Sequence, residues 1–338
     1  MRNKKGIEVQ FNWLFVLLAG SAILIFFIVF IIRQKNVSEV SNMNSVLKSL
    51  ESIIAGASVS TYTTNLIEIP ESSIELGCNR LSIGKASRQY QNLILFGPEE
   101  IQGSRLITQT LDFNAPYRAT NLLYITSRQL KYIIVGESDF AAQINRTLPN
   151  EINKDFYKIL PLIKNENNYK VRFVFFESLE DIPASLQKMP DEDVTALKIT
   201  GDMEIGTIEF FSKKKDSWLS KGTSSYLTKS SLIGAIYSDS VETYECNMQA
   251  AYAHLMLVNR VTADRVQEFL RSETYGRQAQ CKAIYQLALT ELRDIFESSR
   301  NMALKGISEE DTKSIHDVSK SLSAKNLEAK RYSCALVY

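Results

Sequence analysis

From Trp13 to Ile32 the chain carries no charged side chain and almost no polar one, and the run stops at Arg33. At about 1.5 Å of rise per residue, a helix of this length reaches roughly 30 Å, the thickness of a bilayer's hydrocarbon core. The pattern predicts a membrane-spanning helix, with the lipid bilayer as its partner over Trp13 to Ile32. Beyond it the periodicity changes. Val40, Met43, Leu47, Leu50 and Ile54 recur at alternating intervals of three and four, which predicts an amphipathic juxtamembrane helix over 33–57. Such a stripe either packs on the chain's own domain or continues as a stalk.

Period-two patterning follows. NLIEIP (65–70), SIELGC (73–78), RLSIG (80–84), NLILFG (92–97), RLITQTLDF (105–113) and NLLYITS (121–127) are short apolar runs punctuated by Gly and Pro. They predict a β-rich region over 58–128, built as a small antiparallel sheet. In Ser73-Ile74-Glu75-Leu76 the alternation gives one dry face and one wet face.

From 129 to 240 the runs become nearly all apolar: KYIIVG (131–136), VRFVFF (171–176), TALKIT (195–200), GTIEFF (206–211) and SLIGAIYS (231–238). Helices are expected between some of them. One runs from Asp139 to about Leu160 with an interruption at Pro149, and a short one lies near Leu179 to Lys188. Strands of this kind alternating with helices predict a parallel or mixed α/β sheet covered on both faces, with TALKIT and GTIEFF as a hairpin. Lys213-Lys214-Lys215-Asp216 is a charged turn.

The region 241–338 reads as helical and packs on that sheet. Helices are expected over Tyr244–Arg271, Gln280–Ser299 and roughly Glu309–Glu328, the last with Ser308 as its N-cap; a β-like tail, RYSCALVY, follows. The fold class is therefore mixed α+β and α/β behind an N-terminal transmembrane helix, itself preceded by a short basic segment over 1–12.

Charge narrows the function classes. With 39 basic and 38 acidic residues the net charge is +1, so no bulk electrostatic footprint for nucleic acid exists. Arg2, Lys4 and Lys5 precede the span, and Arg33 and Lys35 follow it. The bias favours a cytoplasmic N-terminus and an extracytoplasmic C-terminal domain. The apolar run exceeds the core of a cleaved signal, and RQKNVSEVS behind it offers no small-residue cleavage site, so an uncleaved anchor is expected.

Cys78, Cys246, Cys281 and Cys334 all follow the span, and none forms a CxxC pair. Widely spaced cysteines in even number suit two disulfides in an oxidising compartment. Helix length excludes one pairing. Cys246 and Cys281 flank a helix of roughly 36 Å, whereas a disulfide needs Cα atoms within about 7 Å. If the third helix runs back along the second, Cys334 returns near Cys281, which makes Cys78–Cys246 and Cys281–Cys334 the expected bridges. Export would also make Asn36 and Asn145, each in an N-x-S/T triplet, glycosylation candidates.

Chemistry is sparse. Gly136-Glu137-Ser138-Asp139 follows an apolar strand and precedes a helix, which is where ligands bind in doubly wound sheets. One Gly is no phosphate loop, and Ser138 or Asp139 is as readily a helix N-cap. Glu180-Asp181 and Asp191-Glu192-Asp193 read as solvated loops, His254 as a packed or rim side chain, and His316 as exposed on a polar helix. No GxSxG, HExxH, GxGxxG or P-loop pattern occurs. No cofactor is expected.

Two resemblances add to this. The leader KKGIEVQFNW, a short basic segment ending in Gly6 just before a long apolar helix, resembles the processing site of type IV pilins and their archaeal relatives, which implies cleavage after Gly6. Family members carry a Glu somewhat further from the cut; here Glu8 stands two residues after Gly6 and Gln10 four. The runs LITQTLDFNAPYRATNLLYITS and GAIYSDSVETYECNMQAAYAHL, with the leader, resemble uncharacterised single-pass membrane-anchored proteins of archaeal genomes. That resemblance implies an envelope setting and no activity. Three functions stay open: an anchored structural or interaction protein with envelope-protein partners, a pilin-like filament subunit, and an anchored ligand-binding or enzymatic α/β domain.

Overall fold

The computed structural model describes residues 5–84, 86–90, 93–163 and 168–338. Arg2 and Lys4 lie outside these residues, and so do the side chains of Ile32, Lys35, Asn36 and Val40. Helix α1 spans Lys5–Val59 as one element of 55 residues. Its stretch Trp13–Ile31, of mean hydropathy 3.1, is long and apolar enough to cross a membrane, and none of it is buried in the protein.

The second half of α1 packs on its own domain. Leu47, Leu50 and Ile54 are buried against one face of a six-stranded sheet, together with Ile67, Ile74, Leu81 and Ile125. Arg88 adds an ion pair to Glu51 at 2.7 Å. The strands are β1 (Thr64–Gly77), β2 (Arg80–Ile83), β3 (Ala86–Gln89), β4 (Leu95–Phe96), β5 (Glu100–Asn114) and β6 (Arg118–Ser127), in the order β3-β2-β1-β5-β6-β4. Every pairing is antiparallel except β4–β6.

NLIEIP and SIELGC form a single strand, β1, whose register shifts between Glu68 and Ser72. Pro70 lies inside the shift and has no N–H to give the ladder. The residues facing α1 change from Ile67 and Ile69 to Ile74 and Leu76, and β5 changes in step from Leu106 to Ile101. Gly103, at φ 122°, absorbs the bend on β5.

The second sheet contains β7 (Leu130–Val135), β8 (Asn153–Tyr157), β9 (Lys170–Phe175), β10 (Val194–Gly201), β11 (Ile205–Lys214) and β12 (Ser217–Leu227), ordered β12-β11-β10-β9-β7-β8. The four strands from β7 to β10 are mutually parallel, and β10-β11-β12 is an antiparallel meander.

Several expectations change here. The helix expected to Leu160 ends early: α2 covers only Asp139–Thr147, and β8 follows as an edge strand. Leu148 precedes Pro149, which forces it out of the helical region to φ −68°, ψ 137°. Lys154 of β8 then donates to the carbonyls of Asn145 and Leu148, at 2.6 and 2.5 Å, sealing the C-terminal turn of α2. The run SLIGAIYS lies in helix α3 (Thr228–Tyr237), not in a strand. It is buried on every side from Ser230 onward, and a helix of that kind is as apolar all round as a core strand. The ring of Phe96 lies where a Cβ on Gly234 would sit, 3.0 Å away. The helix near Leu179 shrinks to the 3₁₀ turn Ala184–Leu186. The C-terminal tail joins no strand; Asn326 holds it by accepting from the Val337 N–H.

The two sheets enclose the main core with α3 between them. Phe96, Tyr124, Tyr237, Tyr132, Tyr244 and Phe210 form an aromatic column, with neighbouring ring centroids 5.4–6.0 Å apart. The outer face of the second sheet is covered by irregular chain and Trp218 rather than by a long helix, with Ile182 and Leu186 buried there. Helices α4 (Val241–Arg271), α5 (Ala279–Lys305) and α6 (Glu309–Arg331) complete the fold. Ser240 caps α4 and Ser308 caps α6, each accepting a backbone N–H. Acids open α6 and Lys330 and Arg331 close it, complementing its dipole.

Candidate functional site

Four segments that are remote in sequence meet at an open pocket of about 390 Å³. The β10–β11 hairpin supplies Met203 and Glu204, the β5–β6 turn supplies Asn114 to Pro116, the β12–α3 junction supplies Leu227 to Lys229, and α6 supplies His316, Ser319, Lys320 and Ser323. The α6 positions fall at i, i+3, i+4 and i+7, one face of a helix. The hairpin tip is held by Asp202, whose Oδ1 accepts from the N–H groups of Glu204 at 2.8 Å and Ile205 at 3.0 Å. Those N–H groups hold the Asp202 carboxyl below its usual range, and the nearby Lys320 ammonium adds to the effect.

Glu204 anchors the pocket wall. Its Oε2 lies 2.8 Å from Lys320 Nζ and 3.8 Å from His316 Nε2. The Glu204 contact raises the Lys320 ammonium pKa. His316 was expected to be exposed, but its side chain is only 15% exposed and faces the pocket. Thr228 sits at φ 79°, which strains a β-branched residue by about 1–3 kcal/mol. Its N–H donates to the Glu204 carbonyl at 2.6 Å, locking the strand-to-helix junction onto the hairpin. Beside it α3 starts at Leu227 without a side-chain cap. The Ser319 hydroxyl is buried and has no hydrogen-bond partner among the described residues.

A second cluster is buried at the junction of the two sheets. Lys170 Nζ lies 2.5 Å from Asp239 Oδ2, which also accepts the Glu99 N–H at 3.0 Å. Arg172, fully buried, donates to Thr195 Oγ1 and to the Ala235 carbonyl, each at 3.0 Å, and lies 3.8 Å from Asp239 Oδ1. Lys131, Lys170 and Arg172 are buried cations carried on strands. Desolvation lowers the Arg172 pKa, with Asp239 opposing it. This network joins the sheets.

No family model, curated protein or solved structure matches this chain.

The loop Gly136–Asp139 does lie where the sheet reverses direction, since β8 sits on one side of β7 and β9 on the other. Side chains fill that point. Phe140 and Phe176 meet edge to face with centroids 4.9 Å apart. A Cβ on Gly136 would come 2.9 Å from Ala141 Cβ and 3.0 Å from Phe176 Cβ. Ser138 is the N-cap of α2, accepting the Ala141 N–H, and the Glu137 N–H donates to Glu177 Oε1 at 3.3 Å. Gly136→Ala is expected to destabilise the fold by about 1–3 kcal/mol through overpacking. The readout is the chemical-denaturation midpoint of the full chain, and an unmoved midpoint would show that the loop yields freely.

Cys78 and Cys246 form a disulfide with Cα atoms 5.9 Å apart, and Cys281 and Cys334 form another at 5.7 Å. The first ties the β1–β2 turn to the start of α4, and the second ties the start of α5 to the tail after α6. Asn145 lies in the last turn of α2, half-buried, with its Oδ1 enclosed and unpartnered. Asn36 stands on α1, with its side chain outside the described residues. Asp191 is engaged, accepting from Lys213 Nζ at 2.9 Å and from the Lys215 N–H. His254 is half-buried within α4.

Proposed function

We propose that this chain is a membrane-anchored protein of the cell envelope whose folded part lies outside the cytoplasm and acts by interaction rather than catalysis. The observation that supports this most is the continuity of α1. The same helix that exposes Trp13–Ile31 goes on, without interruption, to bury Leu47, Leu50 and Ile54 against the first sheet. A domain mounted this way stands rigidly at the membrane surface. The two disulfides supply the second support, since such bonds persist in oxidising compartments.

A pilin-like filament subunit is the second reading, favoured by a specific feature. A long N-terminal helix, apolar first and amphipathic later, is the form that the leader's resemblance implies, and α1 has that form.

Intact-mass measurement of membrane-extracted protein, alkylated with and without reductant, tests both. The anchored reading expects an intact N-terminus and four cysteines that alkylate only after reduction. Loss of Met1 to Gly6 would instead make the filament subunit the better reading. Four thiols that alkylate without reductant would sink the extracytoplasmic placement.

A further inference from the structure

We infer that the pocket between the β10–β11 hairpin and α6 binds a small organic molecule through its oxyanion group, a carboxylate or a phosphate. At about 390 Å³ the cavity falls within the range of small-molecule sites, which begins near 300 Å³. Its lining holds two lysines and a histidine against a single carboxylate, Glu204. That carboxylate already has Lys320 at 2.8 Å.

Lys229 is the group left over. It is half-buried, lines this pocket, and makes no ion pair or hydrogen bond among the described residues. A bound anion would give this ammonium the counter-charge it lacks. The Ser319 hydroxyl gives an independent sign. Ser319 lines the α6 wall of the same pocket, and its hydroxyl, enclosed and without a partner among the described residues, gains one by turning about χ1 to a ligand oxygen. The first turn of α3, which begins beside Lys229, has no side-chain cap. The strained Thr228 fixes where that turn points, because its N–H is committed to the Glu204 carbonyl. Glu204 thus serves the site as a positioning residue: it holds Lys320 and the α3 junction while leaving Lys229 free. Asn114 can hydrogen-bond the rest of the ligand through its side-chain amide.

The test is isothermal titration calorimetry on the full chain in detergent micelles, with inorganic phosphate and succinate as separate probes. Saturable binding of at least one probe is expected, and which one saturates distinguishes phosphate from carboxylate chemistry. Lys229→Met should weaken that binding about tenfold or more, the loss of one charge-assisted hydrogen bond. Lys229→Arg should restore most of it. Lys221→Met, which removes an exposed charge on β12, should leave affinity unchanged and controls for general screening. Thermal unfolding of each unliganded variant confirms that the fold persists. No saturation with either probe, or the same affinity in all four proteins, would overturn the inference.

Discussion

Asp239→Ala is expected to destabilise the folded domain by about 3–5 kcal/mol, the loss seen when one partner of a buried ion pair is removed. Asp239 is only 8% exposed and is the carboxylate that faces both Lys170 and Arg172. Without it, two buried cations lose their counter-charge in a medium that solvates them poorly. The Glu99 N–H, which donates to the same carboxylate at 3.0 Å, is orphaned as well. The loss falls on the seam between the sheets, because Glu99 belongs to the β4–β5 connection and Lys170 and Arg172 to β9. Asp239→Asn keeps the shape and the acceptor but not the charge, so its smaller loss would isolate the ionic part. Denaturant midpoints of the full chain in detergent give both values. A loss under about 1 kcal/mol for Asp239→Ala would mean that the cations are solvated in some other way.

The second large effect concerns Cys78–Cys246. This bond closes a sequence separation of 168 residues, against 53 for Cys281–Cys334. In the chain-entropy account, loops of those lengths give about 5 and about 4 kcal/mol respectively. Replacing Cys78 and Cys246 together by Ser is therefore expected to cost more than replacing Cys281 and Cys334. The long loop contains nearly the whole of both sheets, so removing its bond frees the denatured state most. Chemical unfolding of the two double variants without reductant makes the comparison. A larger loss from the Cys281–Cys334 variant would show that local packing of the tail, not loop closure, governs. The Cys78–Cys246 bond and Asp239 also act on one corner, since Asp239 immediately precedes the Ser240 cap of α4 and Cys246 lies in the second turn of that helix. Combining the two changes should give a total that departs from the sum.

Much of the architecture was legible because periodicity is a direct image of which side is dry. The α1 stripe at Met43, Leu47, Leu50 and Ile54 and the alternation at Ile74 and Leu76 both mark the interface between helix and sheet. Helix length was equally informative about the cysteines, since about 38 Å of α4, from Cys246 to Arg271, separates Cys246 from the neighbourhood of Cys281. The failures have physical causes. The α3 run is enclosed on all sides, so it carries no period to distinguish a helix from a strand. Strand β8 is an edge strand whose residues are all half-buried, and it showed no alternation. Strand β12, with SWLSKG at its exposed end, was hidden by polar residues at the sheet margin. The pocket was hidden for a different reason. Asn114, Glu204, Lys229 and Lys320 are unremarkable where they stand in the chain, and only the fold makes them neighbours. Of its lining residues His316 alone had drawn notice, as an exposed side chain.

The unbroken run of α1 from Lys5 to Val59 has a mechanical consequence. With no hinge between the apolar half and the packed half, rotation of one is rotation of the other. An α-helix turns by about 100° per residue, so the residues around Arg33 to Val40 act as a phase setting. One residue inserted there would swing the domain by roughly a quarter turn about the helix axis and lift it by about 1.5 Å. The azimuth at which the domain meets its surroundings is thus written into the length of the stalk.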